Sequence, residues 1–333
     1  MTPRENPPAR GGRTLIEAGI AALCGIALVV AGPEAAAAKE TLTIFAAGTL
    51  AVPFRAIDGQ FERSDPGVTV EPQFGGSVMM AKRITALHEP ADILAVADYN
   101  VIPKYLFGQD GKGGWTDWYV GFARNAITFV YTPKSKGAHD ITPQNWYEVL
   151  ARPGVEIGRS NPDTDPSGYQ TLQMLSLAEA YYKVPGLAQR VLANAPRRNI
   201  RDTETALISA LQLGQIDYLA IYRSDAVQHH LESLKLPSEI DLSDPARAHD
   251  YAAGIAKTKS SALAGRPIVY AATIPAGAPH AALAAIYLAL LLGPQGQAII
   301  ARDGFGAMKP PVAVNPEHAP PAVKALVKPW PKS

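Results

Sequence analysis

The chain has 333 residues, and its 31 lysines and arginines almost balance its 30 aspartates and glutamates, for a formal net charge of +1. Such a charge creates no long-range field, which argues against nucleic acid or an anionic membrane surface as a partner. Any selectivity for an anion must therefore come from local features of a binding site.

The first 38 residues have the layout of a cleavable secretory signal peptide. Arg4, Arg10 and Arg13 precede an uncharged apolar run at 20–31, and the alanines at 35–38 offer a small-residue cleavage site. The run is shorter than the roughly 20 residues that span a bilayer. We expect a mature, periplasmic protein that comprises 39–333, long enough for two lobes.

Cys24 is the only cysteine of the chain and lies inside this apolar run. Cleavage would leave a mature chain with no disulfide and no thiol metal site. Lipid modification of Cys24 is the alternative, but Leu23 stands where lipoprotein signals have a small residue.

After Lys39 strands alternate with helices, as in a doubly wound α/β sheet. Strands are predicted at 41–47, 68–74 and 91–97, and the segment 77–87 has apolar residues at helical spacing. These elements are assigned to a first lobe, which begins with 39–123.

The segment 124–253 is predicted to form a second lobe, again from alternating elements. We predict strands at 126–131, 155–159 and 216–222, and helices at 145–150, 168–182, 203–213 and from residue 225.

The rest of the chain, 254–333, is predicted to return to the first lobe with a strand at 267–274 and two helices at 281–292 and 295–302. Two crossings between the lobes would leave a ligand cleft between them. The proline-rich end, 310–331, is expected to run extended over the surface.

Three junctions between a loop and a helix, at 46–50, 75–78 and 165–169, are rich in glycine and hydroxyl residues. Free backbone N–H groups and the positive end of a helix make such junctions suitable for binding an anion. Ordinary helix capping favours the same residues, so one junction alone would be weak evidence. Two in one lobe and one in the other favour an anion site in the cleft.

Motifs of other chemistries are missing from the sequence. The seven histidines show no metal-ligand spacing, and there is no nucleophile elbow, dinucleotide fingerprint or phosphate loop. An enzyme therefore finds no support in these motifs, although they leave that alternative open. We expect a binding protein without catalytic residues and without a cofactor.

At the same junctions the sequence resembles the periplasmic molybdate/tungstate-binding proteins of ABC transporters, especially their tungstate-type branch. The resemblance runs in order from about residue 41 to about residue 310. It rests on the segments 45–50, 75–84, 91–98, 158–162, 165–169, 204–207 and 221–226.

The resemblance implies a type II periplasmic-binding-protein fold, a monomer whose two lobes close over an oxyanion and which delivers it to a permease in the membrane. It places anion contacts at the first loop, at the second hydroxyl, at the second-lobe loop and at a closing tyrosine. These positions are Gly48, Thr49, Ser77, Asp165, Ser167 and Tyr222. Thr49 replaces the usual serine, and the segment 192–201 is shorter than in many relatives.

In the tungstate-type branch two carboxylates also approach the metal of the anion, which here correspond to Asp165 and Glu204. Two unit charges about 4 Å apart repel by roughly 4 kcal/mol at an effective dielectric near 20. Coordination of the hexavalent metal by the carboxylates would remove this conflict, since a hard metal prefers oxygen ligands. The alternative is that Asp165 caps one helix and Glu204 lies in the first turn of another.

Two rival functions stay open at this point. A sulfate, thiosulfate or phosphate receptor would use the same helix ends without carboxylates directed at a metal. A secreted hydrolase would use Asp165 and Glu204 as a general acid and base. The sequence does not rank molybdate against tungstate, or fourfold against sixfold coordination.

We predict that N-terminal sequencing of the exported protein starts near Lys39 and that the product contains no thiol, because Cys24 is removed. Intact protein that retains Met1 in the cytoplasm would contradict the assignment to the periplasm.

Overall fold

The computed structural model describes residues 39–108, 114–259 and 261–331, so the predicted signal peptide and Cys24 lie outside the described residues. Within these ranges the chain forms two mixed sheets flanked by helices, one in each lobe. The predicted two-lobe α/β fold is thereby confirmed.

The described residues form strands with the following bounds: β1 (Glu40–Ala47), β2 (Val68–Gly75), β3 (Ile93–Val96), β4 (Tyr119–Arg124), β5 (Ile127–Tyr131), β6 (Ile157–Ser160), β7 (Ile200–Arg201), β8 (Tyr218–Tyr222), β9 (Glu232–Ser233), β10 (Ile255–Lys257), β11 (Ala262–Ala264), β12 (Val269–Thr273), β13 (Gly306–Val314) and β14 (Lys328–Pro329). The first lobe contains the sheet β14-β13-β4-β12-β3-β1-β2, and the second contains β7-β6-β8-β5-β9.

The helices have the following bounds: α1 (Ala51–Ser64), α2 (Ser77–Thr85), α3 (Val101–Tyr105), α4 (Trp146–Leu150), α5 (Pro166–Tyr182), α6 (Leu187–Ala193), α7 (Glu204–Gln212), α8 (Arg223–His229), α9 (Ala248–Tyr251), α10 (Ala281–Leu292), α11 (Pro294–Arg302) and α12 (Pro321–Lys324). In the described part of the chain no single helix is long and apolar enough to span a membrane. Only α10 and α11 taken together reach that length and apolar composition, and they are bent by 61° relative to each other.

Each lobe has a core that follows from its hydrophobic spacing. Helix α1 buries Phe54, Ile57 and Phe61, three and four residues apart, as expected for one face of an amphipathic helix. Phe61 packs edge-on against Tyr287 of α10, with ring centroids 5.4 Å apart. In the second lobe Trp146 is fully buried.

The parallel strands determine where the loops meet. β1 pairs in parallel with β2 and β3, and β6 pairs in parallel with β7 and β8. The carboxyl ends of neighbouring parallel strands lie at one edge of their sheet, which is where α/β proteins place ligands. The segments that begin at residues 48, 76, 161, 202 and 223 all follow such ends.

Two features differ from the sequence-based expectations. The end 310–331 is not simply extended over the surface: 310–314 belong to β13, which lies between β4 and β14, and 321–324 form α12. The hairpin of β10 and β11 forms a separate two-stranded sheet, and its strand β10 packs against α5 of the second lobe. The boundaries of the second lobe at 124 and 253 therefore stay a prediction.

Asp58 is a buried acid in the core of the first lobe. Its Oδ1 accepts a hydrogen bond of 2.6 Å from the Tyr287 hydroxyl, and its Oδ2 is buried with no hydrogen-bond partner. Burial outweighs the opposing effect of the Tyr287 hydrogen bond and raises the pKa of Asp58 to about 7.

We predict that Asp58 makes the protein less stable as the pH rises from about 4 to about 7. In this window the carboxyl group ionises in the unfolded chain but stays protonated in the folded one, and the effect levels off above the folded-state pKa. At about 1.4 kcal/mol per pKa unit, the loss is at most about 4 kcal/mol. Urea unfolding at both ends of the window should show a smaller decline in Asp58→Asn than in the wild type, because only the contribution of Asp58 is removed. The partly exposed Asp65→Asn serves as the control, and an unchanged decline in Asp58→Asn would refute the assignment.

Candidate functional site

The first-lobe loop after β1 holds Thr49 in a fixed position. Thr49 is buried, and its Oγ1 lies 2.8 Å from the hydroxyl oxygen of Tyr270 on β12. The Tyr270 hydroxyl also accepts a hydrogen bond of 3.3 Å from the Asn125 side chain, which in turn donates to Ser224 Oγ at 2.8 Å. A polar chain thus leads from the first-lobe loop to the start of α8 in the second lobe.

The second hydroxyl of this lobe, Ser77, opens helix α2 and is fully buried. Its Oγ accepts a hydrogen bond of 2.9 Å from the backbone N–H of Ala97, which follows β3. This bond ties the loop after β2 to the loop after β3. The hydroxyl hydrogen of Ser77 remains available for a ligand, since the oxygen is here the acceptor.

In the second lobe, Asp165 is the N-cap of α5. Its Oδ1 accepts hydrogen bonds from the backbone N–H of Ser167 at 2.8 Å and from the Ser167 hydroxyl at 2.5 Å. Both residues are buried. Asp165 therefore caps α5, which is the alternative role predicted for it from the sequence.

Tyr222, at the end of β8, is fully buried, and its hydroxyl donates a hydrogen bond of 2.7 Å to Gln170 Oε1 of α5. It therefore links the end of β8 to the first turns of α5 within the second lobe.

Glu204 is the most unusual of the predicted site residues. It is the first residue of α7, after Thr203, whose side chain accepts a hydrogen bond from the backbone N–H of Ala206. The residue is partly exposed, but its Oε2 is buried and has no hydrogen-bond partner. A buried carboxylate oxygen without a partner is costly, so its presence points to a ligand.

The lobes touch at two glycines of the first lobe. A methyl group on Gly48 would overlap with Glu204 Oε2, and one on Gly76 would overlap with the carbonyl oxygen of Thr164 and lie 3.2 Å from Asp165 Cβ. The backbone N–H of Met79 also donates to the Thr164 carbonyl at 3.3 Å. Gly48, Gly76, Asp165 and Glu204 therefore meet at one contact between the lobes.

The electrostatics of this contact are dominated by carboxylates. Burial, followed by the charges of Asp225 and Asp165, raises the pKa of Glu204 well above its ordinary value. Burial also raises the pKa of Asp165, against the hydrogen bonds from Ser167, and it raises that of Asp225 well above its ordinary value. No lysine or arginine contributes to these three shifts among the described residues.

The structure adds residues that the sequence did not single out. Asp225 lies within the segment 221–226 that carries the resemblance, yet it had no assigned role; it is buried, and its Oδ2 has no partner. Tyr270 and Asn125 carry the polar chain from Thr49. No local pattern marks these two, because their role depends on contacts distant in sequence.

The carboxylates do not form an ordinary metal site. Across 39–108, 114–259 and 261–331, no three histidine, cysteine, aspartate or glutamate side chains are grouped so that they could hold a metal ion. The arrangement instead offers hydroxyls and backbone groups from both lobes, with two carboxylates at the contact.

Residues 42–306 match the family model described as bacterial extracellular solute-binding protein. The chain belongs to this family. The family consists of solute-binding proteins and not of enzymes. The interpretation of Asp165 and Glu204 as a general acid and base of a hydrolase therefore finds no support.

Relatives with substantial identity cover most of this solute-binding protein. It is 38% identical over 293 residues to an uncharacterized solute-binding protein of Petrotoga mobilis, with 86% of this chain and 90% of the relative covered. It is 36% identical over 319 residues to the molybdate/tungstate-binding protein WtpA of Thermococcus kodakarensis, with 87% and 88% covered.

Solved structures share the fold. The sulfate-binding protein SubI of Mycobacterium tuberculosis aligns with a TM-score of 0.57 at 16% identity, covering 87% of this chain and 92% of SubI. The periplasmic molybdate-binding protein of Azotobacter vinelandii also has a TM-score of 0.57, at 19% identity, with 80% and 99% covered. At these identities the likeness concerns the fold alone.

We predict that Gly76→Ala opens the lobes of this solute-binding protein. The added methyl group would meet the Thr164 backbone, which cannot rotate away, and overpacking of this kind costs about 1–3 kcal/mol. Small-angle scattering should give a larger radius of gyration than for the wild type, with unchanged circular dichroism. Gly67→Ala is the control, because its new methyl group would make only a 3.4 Å contact with Asp65. Equal radii for all three proteins would rule out Gly76 as a closure contact.

Proposed function

We propose that this protein is a periplasmic receptor for tungstate or molybdate, which it delivers to the permease of an ABC transporter. The observation that carries the proposal is the buried Glu204 Oε2, which has no hydrogen-bond partner and lies where the lobes meet. A ligand whose metal centre is coordinated by this oxygen would complete the site. The hydroxyls of Thr49 and Ser77 on the first lobe would contact the oxygens of the anion. Those of Ser167 and Tyr222 on the second lobe would join them by exchanging their hydrogen bonds to Asp165 and Gln170 for bonds to the anion.

The electrostatics favour a metal oxyanion over a nonmetal one. After burial, the charges of Asp225 and Asp165 raise the pKa of Glu204, and that of Asp165 raises the pKa of Asp225; a bound dianion would add further negative charge. Sulfate has no means of relieving that repulsion. Hexavalent tungsten or molybdenum can expand from four to six oxygen ligands, so it would turn a repelled carboxylate into a donor.

Glu204 and Asp165 differ as candidates for this coordination. One oxygen of Asp165 is already engaged by the backbone and side chain of Ser167. Oε2 of Glu204 makes no such bond. Glu204 is therefore the residue on which the proposal is most sharply tested, and Asp165 serves as a cap that also brings a carboxylate to the contact.

The names of relatives agree with the proposal. WtpA proteins of Thermococcus kodakarensis and Pyrococcus abyssi, 36% and 34% identical, are described as molybdate/tungstate-binding. Molybdate and tungstate have the same charge and shape, and we propose the pair as the ligand class.

We predict that tungstate or molybdate raises the melting temperature of the purified protein by several degrees, while sulfate at the same concentration does not. A ligand that binds only the folded state stabilises it by about 4 kcal/mol at a thousandfold excess over its dissociation constant, which is enough for such a shift. Differential scanning fluorimetry measures it. A larger shift with sulfate would favour a sulfate receptor.

Glu204→Gln separates metal coordination from a role in the helix turn. If Glu204 donates an oxygen to the metal, the variant should bind tungstate at least tenfold more weakly, because a neutral amide is a poorer ligand. Any weak binding of sulfate should hold or improve, because the repulsion is reduced. Calorimetric titration of both anions measures the two responses.

Two matched variants test helix-end effects alone. Glu148→Gln removes an exposed glutamate from the first turn of α4, and Asp244→Asn removes another aspartate N-cap followed by proline. Each should cost about 1 kcal/mol or less of stability and leave both anions unaffected. Parallel, small changes for tungstate and sulfate in Glu204→Gln would show that its carboxylate does not coordinate the metal.

A further inference from the structure

A cavity of about 590 Å³ lies beside the proposed site and not within it. Its walls come from the segment 98–105 of the first lobe, from the start of α5 in the second lobe, and from the hairpin of β10 and β11. Thr49, Ser77, Asp165 and Glu204 do not line it. The volume far exceeds what one tetrahedral oxyanion needs.

The cavity and the proposed site are the two sides of one wall. Val78, Asp98 and Tyr169 line the cavity, while their near neighbours Ser77, Ala97 and Asp165 belong to the hydrogen-bonded loops of the site. The Tyr169 hydroxyl donates a hydrogen bond of 2.6 Å to Asp98 Oδ2 and thereby joins the two lobes along this wall.

Gln170 reaches both sides of the wall. It lines the cavity, and its Oε1 accepts the hydrogen bond from Tyr222. A ligand in the cavity would therefore be separated from the site by side chains that move with the lobes.

The acidic side chains that line the cavity have hydrogen-bond or ion-pair partners, whereas its basic side chains have no carboxylate partner among the described residues. Asp98 accepts hydrogen bonds from Tyr169 and from the backbone and side chain of Asn100, and Asp163 pairs with Lys259 at 3.5 Å. Lys104 and Arg266 also line the cavity, and no carboxylate of the described residues lies within 4.0 Å of either cation. Arg266 donates only to the neutral side chain of Asn100, at 2.8 Å.

We infer that this cavity is an anion-capturing vestibule, in which Lys104 and Arg266 hold the incoming oxyanion before it passes the Tyr169–Asp98 contact into the closed site. The inference rests on the proposed function. It answers a difficulty of that function, because the net charge of +1 provides no general attraction and the site itself contains carboxylates.

Local cations at a cleft can supply the missing attraction. Focused charge at the mouth of a cleft raises association rates by factors of about 10 to 1,000, and the gain falls steeply with ionic strength. Changes in such charges act mainly on association and little on dissociation. Exposed residues such as Lys104 and Arg266 can act in this way without forming part of the final site.

The test is calorimetric titration with tungstate at about 10 mM and about 1 M sodium chloride, where the Debye length falls from about 30 Å to about 3 Å. The double variant Lys104→Gln/Arg266→Gln should weaken binding on the order of tenfold at low salt and by less than about twofold at high salt. Lys104→Glu should weaken it further than Lys104→Gln at low salt. The control is Lys134→Gln/Arg63→Gln, which removes two exposed cations that do not line the cavity.

The possible outcomes test the vestibule separately from the proposed function. An affinity of the double variant equal to that of the wild type at low salt would overturn the vestibule while leaving the receptor in place. A loss of affinity that is the same at both salt concentrations would assign Lys104 and Arg266 a structural role and also overturn it. A wild type that binds neither tungstate nor molybdate would overturn the proposed function itself.

Discussion

A group of buried carboxyl groups at the contact between the lobes is the constraint on which the proposed site depends. Glu204 places an oxygen with no hydrogen-bond partner against Gly48, and Asp165 and Asp225 raise its pKa further. Such a group of carboxyl groups is electrostatically unfavourable on its own, because burial penalises each ionised carboxyl group and ionised groups repel one another. A ligand whose centre accepts oxygen donors would convert the same arrangement into a binding site.

The fold brings these groups together through the ends of its parallel strands. β1 and β2 deliver Thr49 and Ser77, and β6 and β7 lead into the segments of Asp165 and Glu204. Glycines at 48 and 76 allow the two edges to approach to contact distance. Helices α2, α5 and α7 begin at these loops, and the positive end of a helix dipole suits an anion.

Much of this could be predicted from the sequence, because buried parallel strands form apolar runs and helix N-termini have capping residues. The cap at Asp165 and the start of α2 at Ser77 were local signals of this kind. β13 escaped prediction because Pro310 and Pro311 resemble an extended, unpaired segment. In the structure the pairing with β4 shifts register between Ala307 and Val312, so that the sheet accommodates the two prolines.

The rest of the site had no local signature. Thr49 meets Tyr270 across 221 positions of sequence, and only the folded arrangement of β12 beside β3 and β4 makes that contact possible. At the cavity Asp98 has hydrogen-bond donors, whereas Lys104 and Arg266 have no carboxylate partner among the described residues. This difference likewise depends on three separate segments that meet at one cavity.

The central claim is that a carboxylate coordinates the metal of the bound anion. X-ray absorption spectroscopy of the tungstate complex at the tungsten edge tests it most directly, since edge shape and scattering distances report the number of oxygen neighbours. The account predicts more than four oxygen ligands in the wild type, and fewer in Glu204→Gln than in the wild type. A tungsten centre that keeps the four equal short oxygen distances of free tungstate in both proteins would contradict it.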